Sequence, residues 1–142
     1  MFKEVKVFPT RDLEQLYPSV KVKALALIEA CKKAKLPITI TQTYRSPQYQ
    51  QELYNKGRST RGDIVTNAKP GQSMHEFRVA FDYCMSTKGH EWNTAMMDKV
   101  GLIGEKLGLT WGGHFKSIVD KPHFQYQGKL SEKEIKLGGI PV

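Results

Sequence analysis

Four side chains in two short stretches of the sequence could together build a hydrolytic metal site. His75 and Asp82 belong to one stretch, and Asp120 and His123 belong to a second one with Pro122 between them. Two imidazoles and one carboxylate suit a zinc ion and leave its fourth position open for water or substrate. A further carboxylate beside the ligands can take a proton from that water. His75, Asp82 and His123 are therefore candidate ligands, and Asp120 is the candidate base.

Each half of this constellation also fits a purely structural explanation. A single histidine such as His75 is more often a surface or core residue than a ligand. The segment from Asp120 to His123 also fits an aspartate-initiated turn that leads into an edge strand. Cys84 follows Asp82 by two residues and would share its face on a strand, so a thiolate ligand is a further alternative. The residue types alone leave these alternatives open.

The composition is that of an ordinary globular chain with a basic surface. The chain has 142 residues, 39% of them hydrophobic, and 22 basic against 14 acidic residues give a net charge of +8. This charge favours an anionic partner such as a nucleic acid, a membrane or a polymer, although a basic surface without a partner explains it equally well. Because the basic residues are scattered and not interleaved with aromatic ones, we expect no nucleic-acid partner.

The chain has no apolar run close to the ~20 residues that span a membrane, so we expect no membrane span. Its first residues lack the apolar segment of a secretory signal, which predicts a protein made without one. Cys31 and Cys84 are not in a CxxC pair, and we expect two free thiols.

Capping residues, prolines and glycines predict where the helices begin and end. Residues 1–9 are expected to be extended, Thr10 to cap a short helix that stops at Pro18, and Ser19 to cap a longer helix that runs to Lys35. The later helices are predicted from Ser46-Pro47 to Gly57, from Asn93 to Gly108, and after a capping box of Ser131 and Glu134.

Alternating and β-branched segments predict four strands, and a long loop lies between them. The predicted strands are residues 38–43, 79–84, 109–111 and 123–127, and residues 58–72 have loop composition. The helices do not alternate regularly with the strands. The sequence therefore predicts an α+β fold with a small antiparallel sheet flanked by helices.

Three further positions could belong to the same site. Arg45 ends the first strand, where it could stabilise an oxyanion, bind an acidic substrate group, or simply pair with a carboxylate. Ser73 could donate a hydrogen bond that orients a ligand. Trp111, followed by the flexible pair Gly112-Gly113, is either an aromatic wall of the site or a core residue.

Taken together, the motifs resemble one family of cell-wall enzymes. Ser-x-His-x6-Asp at residues 73–82 and Asp-x-Pro-His-Phe at residues 120–124 are similar to the zinc D,D-carboxypeptidase/L,D-endopeptidase superfamily. The likeness is to bacteriophage endolysins of the L-alanyl-D-glutamate peptidase type, and it extends over about residues 19–127. The supporting stretches are residues 42–46, 51–54, 57–58, 62–68, 71–75 and 111–113.

The resemblance implies a fold, a reaction and a set of roles. The fold would be that of the zinc D,D-carboxypeptidases (Hedgehog/DD-peptidase-like), and the reaction would be zinc-dependent hydrolysis of the peptidoglycan stem peptide between L-Ala and D-Glu. Alternatives are a D,D-carboxypeptidase or a zinc-containing wall-binding module without catalysis. The implied roles are zinc ligation by His75, Asp82 and His123, catalysis by Asp120 and Arg45, and substrate binding or support by Gln42, Ser73, Trp111 and His114.

The same resemblance implies a biological setting. Residues 1–142 would form one catalytic peptidase domain without a separate wall-binding domain. A monomeric endolysin would wait in the host cytoplasm, reach the wall through a membrane pore, and use its positive charge to stay near anionic wall polymers. Three residues depart from the family pattern: Arg78 replaces a glycine, His114 an aspartate, and Gln125 a glutamate. We expect these changes to affect substrate preference and pH profile more than catalysis.

Overall fold

The computed structural model describes Phe2 and residues 9–142, and most of the lead-in expected at residues 1–9 lies outside these residues. Their centre is a four-stranded antiparallel sheet with strand order β1-β2-β4-β3. The strands are β1 (Ile38–Gln42), β2 (Ala80–Met85), β3 (Thr110–Trp111) and β4 (His123–Gln125). The α+β prediction is confirmed.

The register of the sheet decides which side chains meet. Asp82 on β2 lies opposite His123 on β4 and, on its other side, opposite Gln42 on β1. Between Ile40 and Gln42, strand β1 has one residue more than the paired segment of β2, which defines a β-bulge. Bulges re-aim side chains and are common beside active sites. This bulge brings Gln42 level with Asp82.

The described part of the chain contains four α-helices, and the first and third of them pack against the sheet. The four are α1 (Pro18–Lys33), α2 (Pro47–Asn55), α3 (Thr94–Lys106) and α4 (Glu132–Lys136). The predicted caps Ser46, Asn93 and Ser131 are confirmed, because the side chain of each accepts a hydrogen bond from a backbone N–H in the first turn. Gly108 has a φ of 89° just beyond α3, as expected for a helix stop.

Two predicted caps were wrong. Helix α1 begins at Pro18, whose fixed φ suits the first helical position, and Ser19 lies inside the helix, where its hydroxyl donates to the carbonyl oxygen of Pro141 at 2.7 Å. The first short helix is a 3₁₀ helix, Leu13–Gln15, and its cap is Asp12 and not Thr10. Two further 3₁₀ helices, Met74–Phe77 and Gly112–His114, were not predicted.

The core lies between α1, α3 and one face of the sheet. Helix α1 buries Val20, Ala24, Leu27 and Cys31, which recur at helical spacing. Burial raises the pKa of the Cys31 thiol to about 11, and both cysteines are free. No helix of the described residues has the length and hydrophobicity needed to cross a bilayer.

Two glycines allow α3 to approach the sheet closely. A Cβ atom on Gly101 would lie 2.2 Å from the indole of Trp111, and one on Gly104 would lie 2.3 Å from the ring of Phe124. Such distances are far below van der Waals contact. The absence of side chains here therefore fixes the positions of Trp111 and Phe124 on β3 and β4, the strands that lead into and out of the segment with Asp120.

Replacing Gly101 with alanine should destabilise the fold. Alanine gains about 1 kcal/mol of helix propensity over glycine, but overpacking of a core commonly costs ~1–3 kcal/mol. We expect the Gly101→Ala variant to have a lower free energy of unfolding in urea than the wild type. Leu102→Ala, at an exposed neighbouring position on α3, is the matched control and should change little. Equal stability of the two variants would contradict this account of the packing.

Candidate metal centre and cleft

Three side chains from different elements converge on one point. Asp82 comes from the middle of β2, His123 from the opposite position on β4, and His75 from the 3₁₀ helix Met74–Phe77. Asp82 Oδ1 lies 3.1 Å from His75 Nε2 and 3.4 Å from His123 Nδ1, and all three atoms lie within 4.8 Å of one another. Both histidines are buried. The structure thus brings together the three predicted ligands, whose role as ligands stays a prediction.

The segment that carries His75 is fixed by local hydrogen bonds. The hydroxyl of Ser73 accepts from the His75 backbone N–H, and the carboxylate of Glu76 accepts from the Ser73 N–H, which together form a capping box. The backbone N–H of Arg45 donates to the His75 carbonyl oxygen at 3.2 Å. Ser73 therefore holds the turn that carries the candidate ligand His75.

The tautomer of His75 is determined by a hydrogen bond at Nδ1, the ring nitrogen that faces away from Asp82. His75 Nδ1 lies 2.8 Å from the carbonyl oxygen of Thr43, which can only accept. Nδ1 must therefore carry a proton. In the neutral imidazole, Nε2 then has a free lone pair directed towards the carboxylate of Asp82. Burial is the largest influence on the pKa of His75 and lowers it, which favours this neutral form.

His123 is oriented in the same way by a side chain. His123 Nε2 lies 2.7 Å from Gln125 Oε1. The Gln125 amide nitrogen donates to Glu132 at 3.2 Å and to Gln127, so its oxygen is the atom left to face the imidazole. Hence Nε2 donates to Gln125, and Nδ1 is the nitrogen that faces Asp82. Sequence reasoning had named Gln125 only as a departure from the family pattern, and it had missed Glu132 entirely.

The electrostatics of this group fit a bound cation. Burial opposes ionisation of Asp82, but a positive charge on His75 and hydrogen bonds from both imidazoles, formed when their inner nitrogens carry a proton, outweigh it and hold the pKa of Asp82 well below its usual range. With both distal nitrogens donating outwards, two imidazole lone pairs and one carboxylate oxygen point at one another. Only a proton or a cation between them relieves this repulsion. The donor set suits a divalent metal ion.

Arg45 supports the other oxygen of the same carboxylate. Its Nη2 donates to Asp82 Oδ2 at 3.2 Å, its Nε to Gln42 at 2.6 Å, and its Nη1 to Gln50 at 3.3 Å. The guanidinium group therefore holds Asp82 so that Oδ1 faces the histidines. These contacts use three of the five N–H groups of an arginine. Arg45 also lines a cavity beside the three candidate ligands.

Asp120 lies at the edge of the group. Its side chain is 48% exposed, and its Oδ2 lies 4.0 Å from His123 Nδ1. Burial and then the negative charge of Asp82 raise the pKa of Asp120 above its usual value. A carboxylate with a raised pKa is a better general base near neutral pH than an ordinary aspartate. The geometry is compatible with the predicted role of Asp120, which stays a prediction.

Trp111 and Gly112 fix the turn that carries Asp120. Trp111 is buried, and its Nε1 donates to the carbonyl oxygen of Lys121 at 2.9 Å. The backbone N–H of Asp120 donates to the Gly112 carbonyl oxygen at 2.8 Å, and a Cβ atom on Gly112 would lie 2.2 Å from the Asp120 carbonyl oxygen. The expected flexible glycine pair is in fact tightly packed. Trp111 contacts the turn from the core side and does not line the cavity that contains Arg45, Asp120 and His123.

Three other residues singled out in the sequence lie outside the group. His114 is exposed, contacts Glu105 at 2.8 Å and packs edge-on against Trp111. Arg78 has a φ of 63°, a conformation that favours glycine, and its guanidinium donates to Gln15. Cys84 does not belong to the metal-binding group found among the described residues. The structure therefore does not bring the imidazole of His114 to the candidate site.

Two cavities meet at this site. The first, of about 300 Å³, has walls from the 58–72 loop and from residues 115–118, and it contains Arg45, Asp120 and His123. The second, of about 560 Å³, is lined by Asp82 and Asp120 on its inner side and by Trp92 on its outer side. Trp92 was not predicted as a cavity residue, because an exposed aromatic side chain in a turn has no sequence pattern of its own.

Gln125 should be necessary for tight metal binding. In Gln125→Leu, the buried Nε2–H of His123 loses its acceptor and the imidazole loses its fixed orientation, so affinity for a divalent ion should fall by about 10–100-fold. Competition with a chromogenic chelator measures this, and circular dichroism checks the fold. Gln127→Leu is the matched control, because Gln127 contacts the same amide but not His123. Unchanged affinity in Gln125→Leu would contradict the proposed orientation.

Metal binding should release a proton near neutral pH. Burial would lower the pKa of His123, but the hydrogen bond and charge of Asp82 outweigh it and raise that pKa above the ordinary value of about 6.5. A protonated imidazole cannot ligate a metal ion, so apparent affinity should fall as the pH falls through this raised pKa. Calorimetry in buffers of different ionisation enthalpy measures the released protons. Binding without proton release between pH 6 and 8 would contradict the shift.

The comparisons with known proteins agree with this geometry. The family profile described as D-alanyl-D-alanine carboxypeptidase matches residues 66–126, which include all three candidate ligands and Asp120. The chain is similar to the peptidoglycan L-alanyl-D-glutamate endopeptidase CwlK of Bacillus subtilis (strain 168), with 34% identity over 121 residues, 78% of this chain and 72% of that protein.

Two further proteins extend the comparison. The L-alanyl-D-glutamate peptidase of Listeria phage A118 is 26% identical over 122 residues, which are 83% of this chain but only 40% of that longer protein. A solved structure of the vancomycin resistance D,D-pentapeptidase VanY, in complex with Zn(II), superposes with a TM-score of 0.63 at 15% identity and covers 89% of this chain and 80% of that one. The predicted fold is thereby confirmed. Given its similarity to the Bacillus enzyme over most of both chains, this chain belongs to the M15 family of peptidases.

Proposed function

We propose that this protein is a zinc-dependent endopeptidase that hydrolyses the stem peptide of peptidoglycan between L-Ala and D-Glu. The observation that carries the proposal is the convergence of His75, Asp82 and His123 beside Asp120, at the meeting point of two cavities. The names of the Bacillus and phage relatives support the choice of bond.

His75, Asp82 and His123 would hold the zinc ion. Zinc with three protein ligands supplies Lewis acidity, which polarises a carbonyl group and makes water a stronger acid. The histidines hold their distal N–H groups on Thr43 and Gln125, so both present a lone pair inwards. The burial of both imidazoles excludes bulk water from the ligand atoms and keeps their orientation fixed.

Asp120 would move the proton during hydrolysis. Its carboxylate accepts a proton from the attacking water, and the oxygen of that water forms a bond to the scissile carbonyl carbon. When the C–N bond breaks, the same proton passes to the leaving amine. Arg45 holds Asp82 in place, and its remaining N–H groups are available to the negative charge that develops on the carbonyl oxygen.

We further propose that residues 1–142 act as a monomeric catalytic domain of an endolysin, released to the host wall through a membrane pore. The phage relative supports the endolysin assignment. The net charge of +8 would hold the enzyme near anionic wall polymers. Such attraction between exposed charges is screened over about 8 Å at physiological ionic strength, so added salt should weaken retention on the wall.

Digestion of purified peptidoglycan tests the activity and its bond. We expect the wild type to release new D-Glu amino termini, to stop when a chelator is added and to recover when zinc is restored. Asp120→Ala should still bind one zinc ion but lose ~10²–10⁴-fold in rate, because it lacks the proton acceptor. Glu29→Ala, at an exposed carboxylate on α1, should match the wild type.

Each alternative leaves a different product. New termini at D-Ala would indicate a D,D-peptidase and reject the L-Ala–D-Glu assignment. Zinc binding without any cleavage would reject the enzyme in favour of a wall-binding module. Full activity of Asp120→Ala would reject the role of Asp120 while leaving the peptidase assignment intact.

A further inference from the structure

The second cavity has an outer wall that hydrolysis of a peptide bond does not require. Trp92 is 61% exposed and lines this cavity, whose inner side is formed by Asp82 and Asp120. Arg11 and Gln42 line it as well. We call Arg11, Gln42 and Trp92 the outer shelf. An exposed indole in the wall of a cavity offers a flat apolar surface against which a ligand ring can pack.

Trp92 is held in place although its ring is exposed. It lies in the turn between β2 and α3, where the backbone N–H of Met85 donates to the Glu91 carbonyl oxygen at 2.9 Å. The backbone N–H of Asn93 donates to the His90 carbonyl oxygen at 3.0 Å, and the side chain of Asn93 caps α3. Both neighbours of Trp92 are thus fixed by hydrogen bonds, so the indole is presented by an ordered backbone.

The backbone on both sides of Arg11 is also held by hydrogen bonds. The backbone N–H of Thr43 donates to the Thr10 carbonyl oxygen at 2.7 Å, and the Thr43 hydroxyl donates to the Asp12 carbonyl oxygen at 2.9 Å. The residues on both sides of Arg11 are therefore tied to the end of β1. Within the part of the chain that the structure describes, the exposed Arg11 guanidinium has no hydrogen-bond or ion-pair partner. Its N–H groups are free to donate to a ligand.

The chemistry of the shelf selects a neutral, oxygen-rich ring. The face of an indole carries partial negative charge and attracts the weakly positive C–H groups of a pyranose. Arg11 offers donors, and the Gln42 side chain can donate to hydroxyl or acetamido oxygens. Asp82 and Asp120 on the inner side of the cavity disfavour a polyanion such as a nucleic acid, since like charges repel strongly in a partly buried site.

We propose that the outer shelf binds the N-acetylmuramyl pyranose to which the stem peptide is attached. The inference rests on the proposed function, because it places the sugar on the L-Ala side of the bond that is cut. L-Ala and the lactyl link separate the scissile carbonyl from the pyranose by about two residue lengths, ~7 Å. Asp82 and Asp120 line the same cavity as the shelf, so the peptide and the sugar would occupy adjoining parts of one cavity. Each further residue of the peptide adds about 3.5 Å, so cleavage at the D-Ala–D-Ala bond, three residues further on, would place the sugar ~10 Å more distant.

A matched pair of substrates tests the shelf. One is a soluble N-acetylmuramyl stem peptide, and the other is the same peptide with an acetyl group in place of the sugar. We expect the wild type to prefer the muramyl substrate, and Trp92→Ala to lose about tenfold in kcat/KM on it, mainly through KM, while cleavage of the acetyl peptide is unchanged. Arg11→Ala should show a smaller loss of the same kind. Trp92→Phe should retain most of the preference.

Controls separate a sugar contact from a structural effect. Leu25→Ala replaces an exposed apolar side chain on α1 and should leave both substrates unaffected. Thermal unfolding of Trp92→Ala should match the wild type, because the ring is exposed. Equal losses on the two substrates, or no preference of the wild type for the sugar, would overturn the proposal.

Binding distinguishes failure of the shelf from failure of the proposed function. The chain has two tryptophans, and Trp111 is only 4% exposed, so a ligand-dependent change in fluorescence reports mainly on Trp92. We expect Asp120→Ala to show this change with the muramyl substrate and not with the acetyl peptide. Sugar-dependent binding without cleavage by the wild type would reject the endopeptidase and keep the shelf. Cleavage without sugar-dependent binding would reject the shelf and keep the endopeptidase.

Discussion

A nearly buried carboxylate on the central strand imposes the arrangement of this protein. The side chain of Asp82 is only 16% exposed, and an ionised carboxylate in such a place is costly unless it is paired. Arg45 binds one oxygen, and His75 and His123 face the other. These partners come from the segment that follows β1, from a 3₁₀ helix and from β4. The β-bulge, the capping box and the sheet register are all means of bringing them to Asp82.

The hydrogen bonds at the distal nitrogens of the two histidines decide whether the inner nitrogens carry protons or lone pairs. If the distal nitrogens were free, each imidazole could donate a proton to Asp82, and the group would be a buried ion-pair network. Thr43 and Gln125 instead accept from the distal nitrogens. The inner nitrogens are left as lone pairs, so the group is satisfied by a proton or by a cation. The hydrogen bond and charge of Asp82 raise the pKa of His123, so a metal ion bound here would have to displace a proton.

The sequence predicted the elements better than it predicted their contacts. Alternation at 79–84 placed Asp82 on a strand, and Pro122 indicated a turn before His123, because both signals are local. The pairing of Asp82 with His123 depends on strand register, which local patterns leave undetermined without knowledge of the buried face. The Ser19 cap failed because proline at the first helical position needs no side-chain cap. The supporting role of Gln125 depends on Glu132, a residue on a different helix.

The position of Asp120 links the chemistry to the shape of the cleft. Asp120 lines both cavities, whereas among the candidate ligands His75 and His123 line the first and Asp82 the second. A proton carrier in peptide hydrolysis must reach the attacking water and then the leaving amine, which lie on different sides of the carbonyl carbon. A half-exposed carboxylate at the junction can reach both without movement of the backbone. The tight packing of Gly112 against the Asp120 carbonyl oxygen keeps that junction fixed. Rigidity of the turn, and not flexibility of the glycine pair, would therefore suit the role proposed for Asp120.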